Sequence, residues 1–173
     1  MSDVLERTAR PRPDTADEAA LWDVVATVVD PEVPVLTIAD LGVLRAVRRE
    51  GSSVVVTITP TYSGCPAVDA ISADVVQALR DAGHPDARVD VALAPAWTSD
   101  WMSEEGRRKL AEYGIAPPRR RVVDGVITLG LGVACPRCGS HHVRAVSHYG
   151  STACKALYVC QRCQEPFDHF KDL

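Results

Sequence analysis

Two C-x2-C pairs constrain this chain more than any other feature of its sequence. The first pair is Cys135 and Cys138, the second is Cys160 and Cys163, and 21 residues lie between them. Within each pair the spacing lets two thiolates face one ion while backbone amides point at the sulfurs. Four thiolates suit a tetrahedral centre, most often structural Zn²⁺. The pattern therefore predicts a four-cysteine zinc ribbon, with short strands in SHHVRAVSHY and LYVC.

Other roles for these cysteines stay open at this point. Disulfides are one alternative, although a reducing cytosol disfavours them. A single iron ion is another, because a tetrahedral set of thiolates does not select zinc by geometry alone. Histidines can also replace a cysteine as ligand, and the tail contains His141, His142, His148 and His169. We interpret them as strand or loop residues, since four well-spaced thiolates are already present.

A fifth tail cysteine, Cys154, lies between two pairs that need only four thiols. One hypothesis makes it a small apolar side chain packed against the ribbon. The other makes it an auxiliary thiol that acts as a transient metal or thiol-exchange ligand, helped by the neighbouring Lys155 cation. Whichever holds, a tail this short has too small a core to fold without its metal.

The residues before the tail alternate between helical and strand patterns. Thr15 and Glu18 have capping-box spacing and precede an apolar helical face, so a first helix is predicted over about 16–29. LGVLRAVRRE and SSVVVTITP, which meet at Gly51, predict an antiparallel hairpin. A second helix is predicted to start at Cys65, because a proline follows it and an apolar stripe comes next.

A third strand and a third helix complete this part of the chain. ARVDVALAP at 87–95 predicts the strand, with Val89, Val91 and Leu93 directed inward. SEEGRRKLAEYG, capped by Ser103, predicts the helix. The order α-β-β-α-β-α is satisfied by a two-layer α+β domain whose helices cover one face of a small sheet.

The composition changes along the chain suggest four segments. Residues 1–14 are predicted to be a disordered arm, because a proline- and arginine-rich stretch cannot bury enough surface to order itself. Residues 15–116 are predicted to form the α+β domain and residues 131–173 the zinc ribbon. Two prolines, three arginines and a turn sequence mark 117–130 as a linker.

Charge and hydropathy exclude several classes of partner. A formal charge of -4 and a pI near 5.7 leave no broad basic surface, so nucleic-acid binding is not expected. The longest apolar runs are too short to cross a bilayer, and MSDVLERTARPRP has no apolar signal region. We therefore expect a cytoplasmic, soluble protein with no membrane partner.

Cys65 is the candidate functional thiol of the α+β part. SGCP places it at the entrance of the second helix, where free N–H groups and the helix dipole favour a thiolate. Its alternative role is a buried cap residue chosen for size. Asp30, Glu32 and Asp40 lie in the preceding loop and are candidates for a supporting role, with turn formation as the alternative.

Several stretches resemble known families. DPEVPVLTIADLGVLRAV, PTYSGCPAVDAI and PAWTSDWMSEEGRRKLAEYGIAPP resemble the domain of SufT-type iron–sulfur assembly factors. The tail, with CPRCGS and GSTACKALYVCQRCQEPFDHFKDL, resembles the ribbon of the PaaD family, also called PaaJ. Together the likeness covers about 17–173. It implies an accessory role in the phenylacetyl-CoA epoxidase system of aerobic phenylacetate degradation, in which a metal or iron–sulfur centre is matured or supplied.

The resemblance also assigns roles to individual residues. It implies that Cys65 is the functional thiol, that Asp30, Glu32 and Asp40 belong to the supporting loops, and that the four ribbon cysteines bind the metal. It implies two possible clients, the di-iron oxygenase and the iron–sulfur flavoprotein reductase of the epoxidase. Iron or an iron–sulfur cluster would be the transient cargo beside the structural zinc.

Three functions compete on this basis. The first is maturation of the client's metal centre through Cys65, and the second is a stable, non-catalytic docking subunit of the epoxidase. The third is a rubredoxin-like electron carrier with iron in the four-cysteine site. No nucleophile–base pair, phosphate loop or nucleotide fingerprint is legible, so intrinsic catalysis is not expected. Pairing of two chains into a homodimer through Cys65 stays open.

Overall fold

The computed structural model describes residues 12–119, 122–123, 126–127 and 132–173. The predicted arm therefore lies outside the described residues up to residue 11, and part of the predicted linker does so as well. In the described ranges no helix combines the length and the apolar character that crossing a membrane requires.

The elements alternate through the first two thirds of the chain and end in a group of strands. The helices are α1 Ala16–Val25, α2 Ala67–Asp81 and α3 Glu104–Tyr113, with a 3-10 turn at Ser99–Trp101. The strands are β1 Val29–Asp30, β2 Val33–Thr37, β3 Leu44–Glu50, β4 Ser53–Ile58, β5 Ala87–Val91, β6 Val122–Val123, β7 Val126–Ile127, β8 Val143–Ser147, β9 Lys155–Cys160 and β10 Pro166–Phe170. The mixed content confirms the α+β fold class.

The first helix is shorter than the sequence predicts. The expected end at residue 29 is wrong, because α1 stops at Val25 and Val29 belongs to β1. The run VVATVV is rich in β-branched residues, which lose side-chain freedom in a helix and pack well in strands. β1 pairs antiparallel with β2, so the chain turns back at once. These two strands were absent from the predicted order.

The three-stranded sheet has the order β3-β4-β5. β3 and β4 form the predicted antiparallel hairpin, with Glu50 opposite Ser53. β4 and β5 run parallel, which requires the crossover that α2 supplies. Along β4, Val54, Val55 and Val56 are fully buried, as expected for a central strand covered on both faces.

The inward direction predicted for two residues of the third strand is wrong. Val91 is 47% exposed and Leu93 is 56% exposed, while Val89 is partly buried against the core. The cause is the position of β5 at the edge of the sheet, where the strand ends at Val91 and the chain leaves the packed layer. A period-2 pattern shows that two faces exist but does not show how far along an edge strand the covering layer reaches.

The third helix begins and ends as predicted. The Ser103 hydroxyl accepts a hydrogen bond from Gly106 N–H, and Gly114 adopts a left-handed conformation directly after the last turn. Both tryptophans before this helix are buried, Trp97 at 6% and Trp101 at 1% exposure, which confirms their interpretation as packing residues. Gly42 has φ +70, and a Cβ there would lie 2.5 Å from Trp101 O, so only glycine fits.

The tail forms an antiparallel sheet with the order β10-β9-β8. β8 and β9 coincide with the strands predicted in SHHVRAVSHY and LYVC, whereas β10 was not predicted. This third strand reaches the α+β part, since Ala116 N–H donates to Asp168 O and Phe170 N–H donates to Ala116 O. The ring of Phe170 lies 6.1 Å from that of Trp97, and its side chain belongs to the larger core.

Candidate functional site

The four cysteines of the two C-x2-C pairs come together at one end of the tail sheet. Cys160 ends β9, and the other three lie in the turns beside it. Their ligand atoms all lie within 4.8 Å of one another. Cys135 Sγ is 3.7 Å from Cys163 Sγ, and Cys138 Sγ is 3.6 Å from Cys160 Sγ. The four sulfurs form a metal-binding group.

The spacing of the sulfurs fits a tetrahedral metal–thiolate centre. With a zinc–sulfur distance of about 2.3 Å, the edge of a tetrahedron of sulfurs is about 3.8 Å, close to both measured sulfur–sulfur distances. Within the described ranges, the group of potential ligands contains these cysteines and no histidine. Two of the tail histidines have other contacts, because His141 Nδ1 lies 3.2 Å from Gly132 O and His169 Nδ1 lies 3.2 Å from Ala116 O.

Backbone amides support the negative charge on the ribbon sulfurs. Cys163 N–H donates to Cys160 Sγ over 3.5 Å, and Arg162 N–H also donates to this sulfur. These hydrogen bonds lower the pKa of Cys160 to about 6. A thiol that loses its proton this easily is an effective ligand, because thiolates and not thiols bind metals.

Cys65 lies one residue before the N-terminal Pro66 of α2 and is half-buried. Tyr62 O accepts a hydrogen bond from its backbone N–H, and its sulfur accepts one from Ala67 N–H, as expected at a helix N-terminus. With Asp30 and Thr61 it lines a small hollow below α2. The half-exposed position leaves the sulfur reachable from solvent.

The sequence-based expectation that this thiol is readily ionised is wrong. Burial raises the pKa of Cys65, and it outweighs the hydrogen bond from Ala67 N–H, which lowers that pKa. The charges of Glu32 and Asp30 and the nearby thiol of Cys154 raise it further. The helix N-terminus does favour the thiolate, but the surroundings decide the net direction.

The three acidic candidates divide into two groups. Asp30 and Glu32 lie near Cys65, as their charges on its sulfur indicate. Asp30 also forms the turn between β1 and β2, because its Oδ1 accepts from the N–H groups of Glu32 at 2.7 Å and Val33 at 3.0 Å. Asp40 instead faces α3, where Lys109 Nζ donates to it over 2.8 Å.

Asp40 connects the loop after β2 to α3. Its Oδ2 accepts from Thr37 N–H, and its Oδ1 accepts from the Ser103 hydroxyl. Burial alone raises the pKa of Asp40, but the hydrogen bonds from Lys109 and Thr37 outweigh it, so the net pKa is lowered. The structure thus gives Asp40 the turn and packing contacts that sequence reasoning held as the alternative.

Cys154 is 5% exposed and belongs to the larger core. It is therefore a packed residue, but it packs with the α+β part and not only with the ribbon. The Thr152 hydroxyl lies 3.0 Å from its sulfur. Burial raises the pKa of Cys154; Glu32 and Asp30 also raise it, and Lys155 lowers it by a smaller amount. The expected thiolate assistance from Lys155 is thus outweighed.

Sequence reasoning missed the neighbours that surround these two thiols. Tyr62 senses both sulfurs, since the charges of Cys65 and Cys154 each raise its pKa after burial, the largest cause. Thr152 precedes Cys154 by two residues in the GSTAC stretch, a spacing that allows a hydroxyl to approach the sulfur. Neither signal could be interpreted before the fold had joined the tail to the α+β part.

Comparisons with known families match both parts of the chain. The family model described as "Iron-sulfur cluster assembly protein" matches residues 18–91, and the one described as "PaaD zinc beta ribbon domain" matches residues 124–171. The crystal structure of a domain of unknown function, DUF59, from Bacillus anthracis superposes with a TM-score of 0.51 and 30% identity. It covers 55% of this chain and 92% of that one. The class is an iron–sulfur-assembly-like α+β domain carrying a zinc ribbon.

Two curated relatives extend this classification. An Escherichia coli protein, named as a subunit of 1,2-phenylacetyl-CoA epoxidase, is 44% identical over 167 residues, which span 96% of this chain and 99% of that protein. A Porphyromonas gingivalis protein named "Fe-S protein maturation auxiliary factor" is 38% identical over 86 residues, 49% of this chain and 81% of that protein. The chain belongs to the PaaD family.

Proposed function

We propose that this protein is an accessory factor that helps to assemble a metal or iron–sulfur centre in the phenylacetyl-CoA epoxidase system. The observation that carries the proposal is the junction of two parts on one chain. A half-exposed thiol, Cys65, lies beside Asp30 and Glu32 in an iron–sulfur-assembly-like domain, and a metal-binding ribbon packs onto the same domain. The names of the two curated relatives agree with each half of this statement.

In this proposal the two parts have different tasks. The ribbon holds zinc through Cys135, Cys138, Cys160 and Cys163, because four thiolates with tetrahedral spacing suit this ion and a closed site gives it a structural role. Cys65 is the thiol that holds the cargo for a limited time. The cargo is iron or an iron–sulfur cluster, and the client is the oxygenase or the reductase of the epoxidase.

The site suits temporary binding better than permanent binding. The four ribbon thiols already stand at ligand distances from one another, whereas Cys65 is a thiol of raised pKa at a partly open position. A proton then competes with the cargo for the sulfur, which weakens binding and eases release. An accessory factor needs this property because it must pass its cargo on.

The experiment that tests the proposal measures the client and not the accessory protein. The oxygenase and reductase are produced with the wild-type chain, with Cys65→Ser or with Ser63→Ala, an exposed substitution in the same loop. Iron and acid-labile sulfide per client are then measured. We expect metal-poor client with Cys65→Ser alone, while the zinc content and unfolding of that variant match those of the wild type.

A second candidate function is a stable, non-catalytic docking subunit of the epoxidase. The Escherichia coli relative is named as a subunit, and the edge strand β5 and the residues after it carry exposed apolar side chains of the kind that protein contacts use, Val91 and Leu93. Under this hypothesis Cys65→Ser yields fully loaded client, and Val91→Asp abolishes co-elution with the oxygenase.

A further inference from the structure

We propose that Cys65 and Cys154, together with Glu32, form a second metal site at the junction of the two parts, which takes a thiophilic divalent cation such as Fe²⁺. This inference rests on the proposed function, because it names the form in which the cargo is held and a second residue that holds it. The ion would bind through two sulfurs and one carboxylate, one sulfur coming from each part of the chain.

The packing of the tail brings the two sulfurs into one neighbourhood although 88 residues separate them in the sequence. Cys154 is buried in the larger core, and Cys65 packs against this same core. Each thiol senses the charges of Asp30 and Glu32, and Cys65 also senses Cys154 directly. The backbone of Cys154 is held in place, since its carbonyl accepts from Lys171 N–H over 2.9 Å.

The acidic residues make this neighbourhood favourable for a cation. Asp30 Oδ1 is committed to two backbone N–H groups, so Asp30 contributes charge from a fixed position. Glu32 is half-buried beside it and acts on both thiols. Two carboxylates destabilise neighbouring thiolates but stabilise a divalent ion, so the same charges that keep the sulfurs protonated attract the metal. Each sulfur releases its proton to solvent when it binds.

The donor set also limits which ions fit. Thiolates select zinc, copper(I) and iron, while a carboxylate adds a harder oxygen donor that suits ferrous iron and cobalt. Among the described residues only the four ribbon cysteines already lie within 4.8 Å of one another as a group of three or more ligands. The second site must therefore close on its ion by side-chain rotation, which makes binding weaker than in the ribbon.

Cobalt is the probe for this site, because a cobalt–thiolate bond gives a charge-transfer absorption whose strength rises with the number of sulfurs. Co²⁺ is added without oxygen to the full chain carrying zinc in its ribbon, and zinc retention is checked, since zinc binds such sites more tightly than cobalt. We expect one Co²⁺ per chain beyond the zinc, and X-ray absorption at the cobalt edge should give two sulfur neighbours.

The variants separate the three proposed ligands. Cys65→Ser and Cys154→Ser should each weaken cobalt affinity at least about tenfold and reduce the charge-transfer band to roughly half. Glu32→Gln should weaken affinity while leaving the band per bound cobalt unchanged. The matched control is Asp74→Asn, an exposed acidic residue on α2, which should bind cobalt like the wild type.

Two outcomes would overturn the inference. One is a Cys154→Ser protein with wild-type cobalt affinity and band strength, and the other is a cobalt spectrum of the wild type with fewer than two sulfur neighbours. The second measurement needs no variant, so it decides the question even if Cys154→Ser fails to fold. Loss of client loading with Cys65→Ser, beside unchanged cobalt binding by Cys154→Ser, would leave the proposed function standing and remove only this inference.

Discussion

The α+β part and the ribbon are stabilised by different means. The larger core contains bulky buried side chains from every helix and from the central sheet, among them Leu36, Ile58 and Leu79. The buried core of the ribbon consists of Ala116, Cys135, Cys160 and Phe167, so half of it is metal ligands. Burial of apolar surface can sustain the first part, whereas the second depends on its ion. Small tail domains thus exchange core volume for coordination bonds.

Removal of the metal should break this comparison most strongly. A structural zinc contributes about 10–16 kcal/mol to folding in small zinc domains. We expect a strong chelator, or Cys160→Ser, to unfold β8 and β9 while α1 and the central sheet stay folded. Amide hydrogen exchange on the full chain measures both parts at once. Protected amides in β8 after complete zinc removal would contradict the dependence on metal.

The attachment between the parts should be the next most sensitive feature. Phe170→Ala removes a ring that is 1% exposed and packed in the larger core, so we expect a loss of about 3–5 kcal/mol in the free energy of unfolding. The control is Tyr149→Ala, a tail aromatic that is 72% exposed, with an expected loss below about 1 kcal/mol. Urea unfolding of the zinc-loaded chains compares them; equal losses would mean that the ring does not join the two parts.

A smaller effect is expected where a turn meets the core of the α+β part. Gly42→Ala should cost roughly 3 kcal/mol, since the residue has φ +70 and its Cβ would overlap Trp101 O. Gly51→Ala is the matched control, because it has φ +63 but no atom within 4 Å of the added Cβ. It should cost about 1–2 kcal/mol from backbone strain alone. Thermal unfolding separates the two, and equal shifts in Tm would exclude the steric contribution.

The smallest effect concerns pH. Burial lowers the pKa of His169 in β10, so the unfolded chain takes up a proton that the folded chain refuses. The corresponding stability is present above pH about 6.5 and is lost as the pH falls from there toward the lower folded pKa. The slope cannot exceed one proton, about 1.4 kcal/mol per pH unit.

Unfolding free energies measured on both sides of pH about 6.5 test this expectation. His169→Gln should remove this part of the pH dependence, while His148→Gln, an exposed residue, should retain it. If His169→Gln kept the full acid sensitivity of the wild type, the imidazole would not be the group responsible.

The two sets of thiols show how far sequence reasoning reached. The ribbon group was predicted completely, because C-x2-C spacing is a local property and two such pairs suffice for four ligands. The hairpin, the start of α2 and the end of α3 at Gly114 were predicted for the same reason, since turn and cap residues act over a few positions. The strand β10 and the early end of α1 were missed, because each depends on which partner the segment packs against.

The sequence by itself determined the metal ligands, the fold class and the residues that turn the chain. Only the tertiary structure decided that Asp40 lies with Lys109 while Asp30 and Glu32 lie near Cys65. It also decided that Cys154 belongs to the larger core and not to the ribbon alone. Spacing along a chain specifies contacts within a turn or a knuckle, but contacts between distant segments arise from the burial of apolar surface, which no local pattern records.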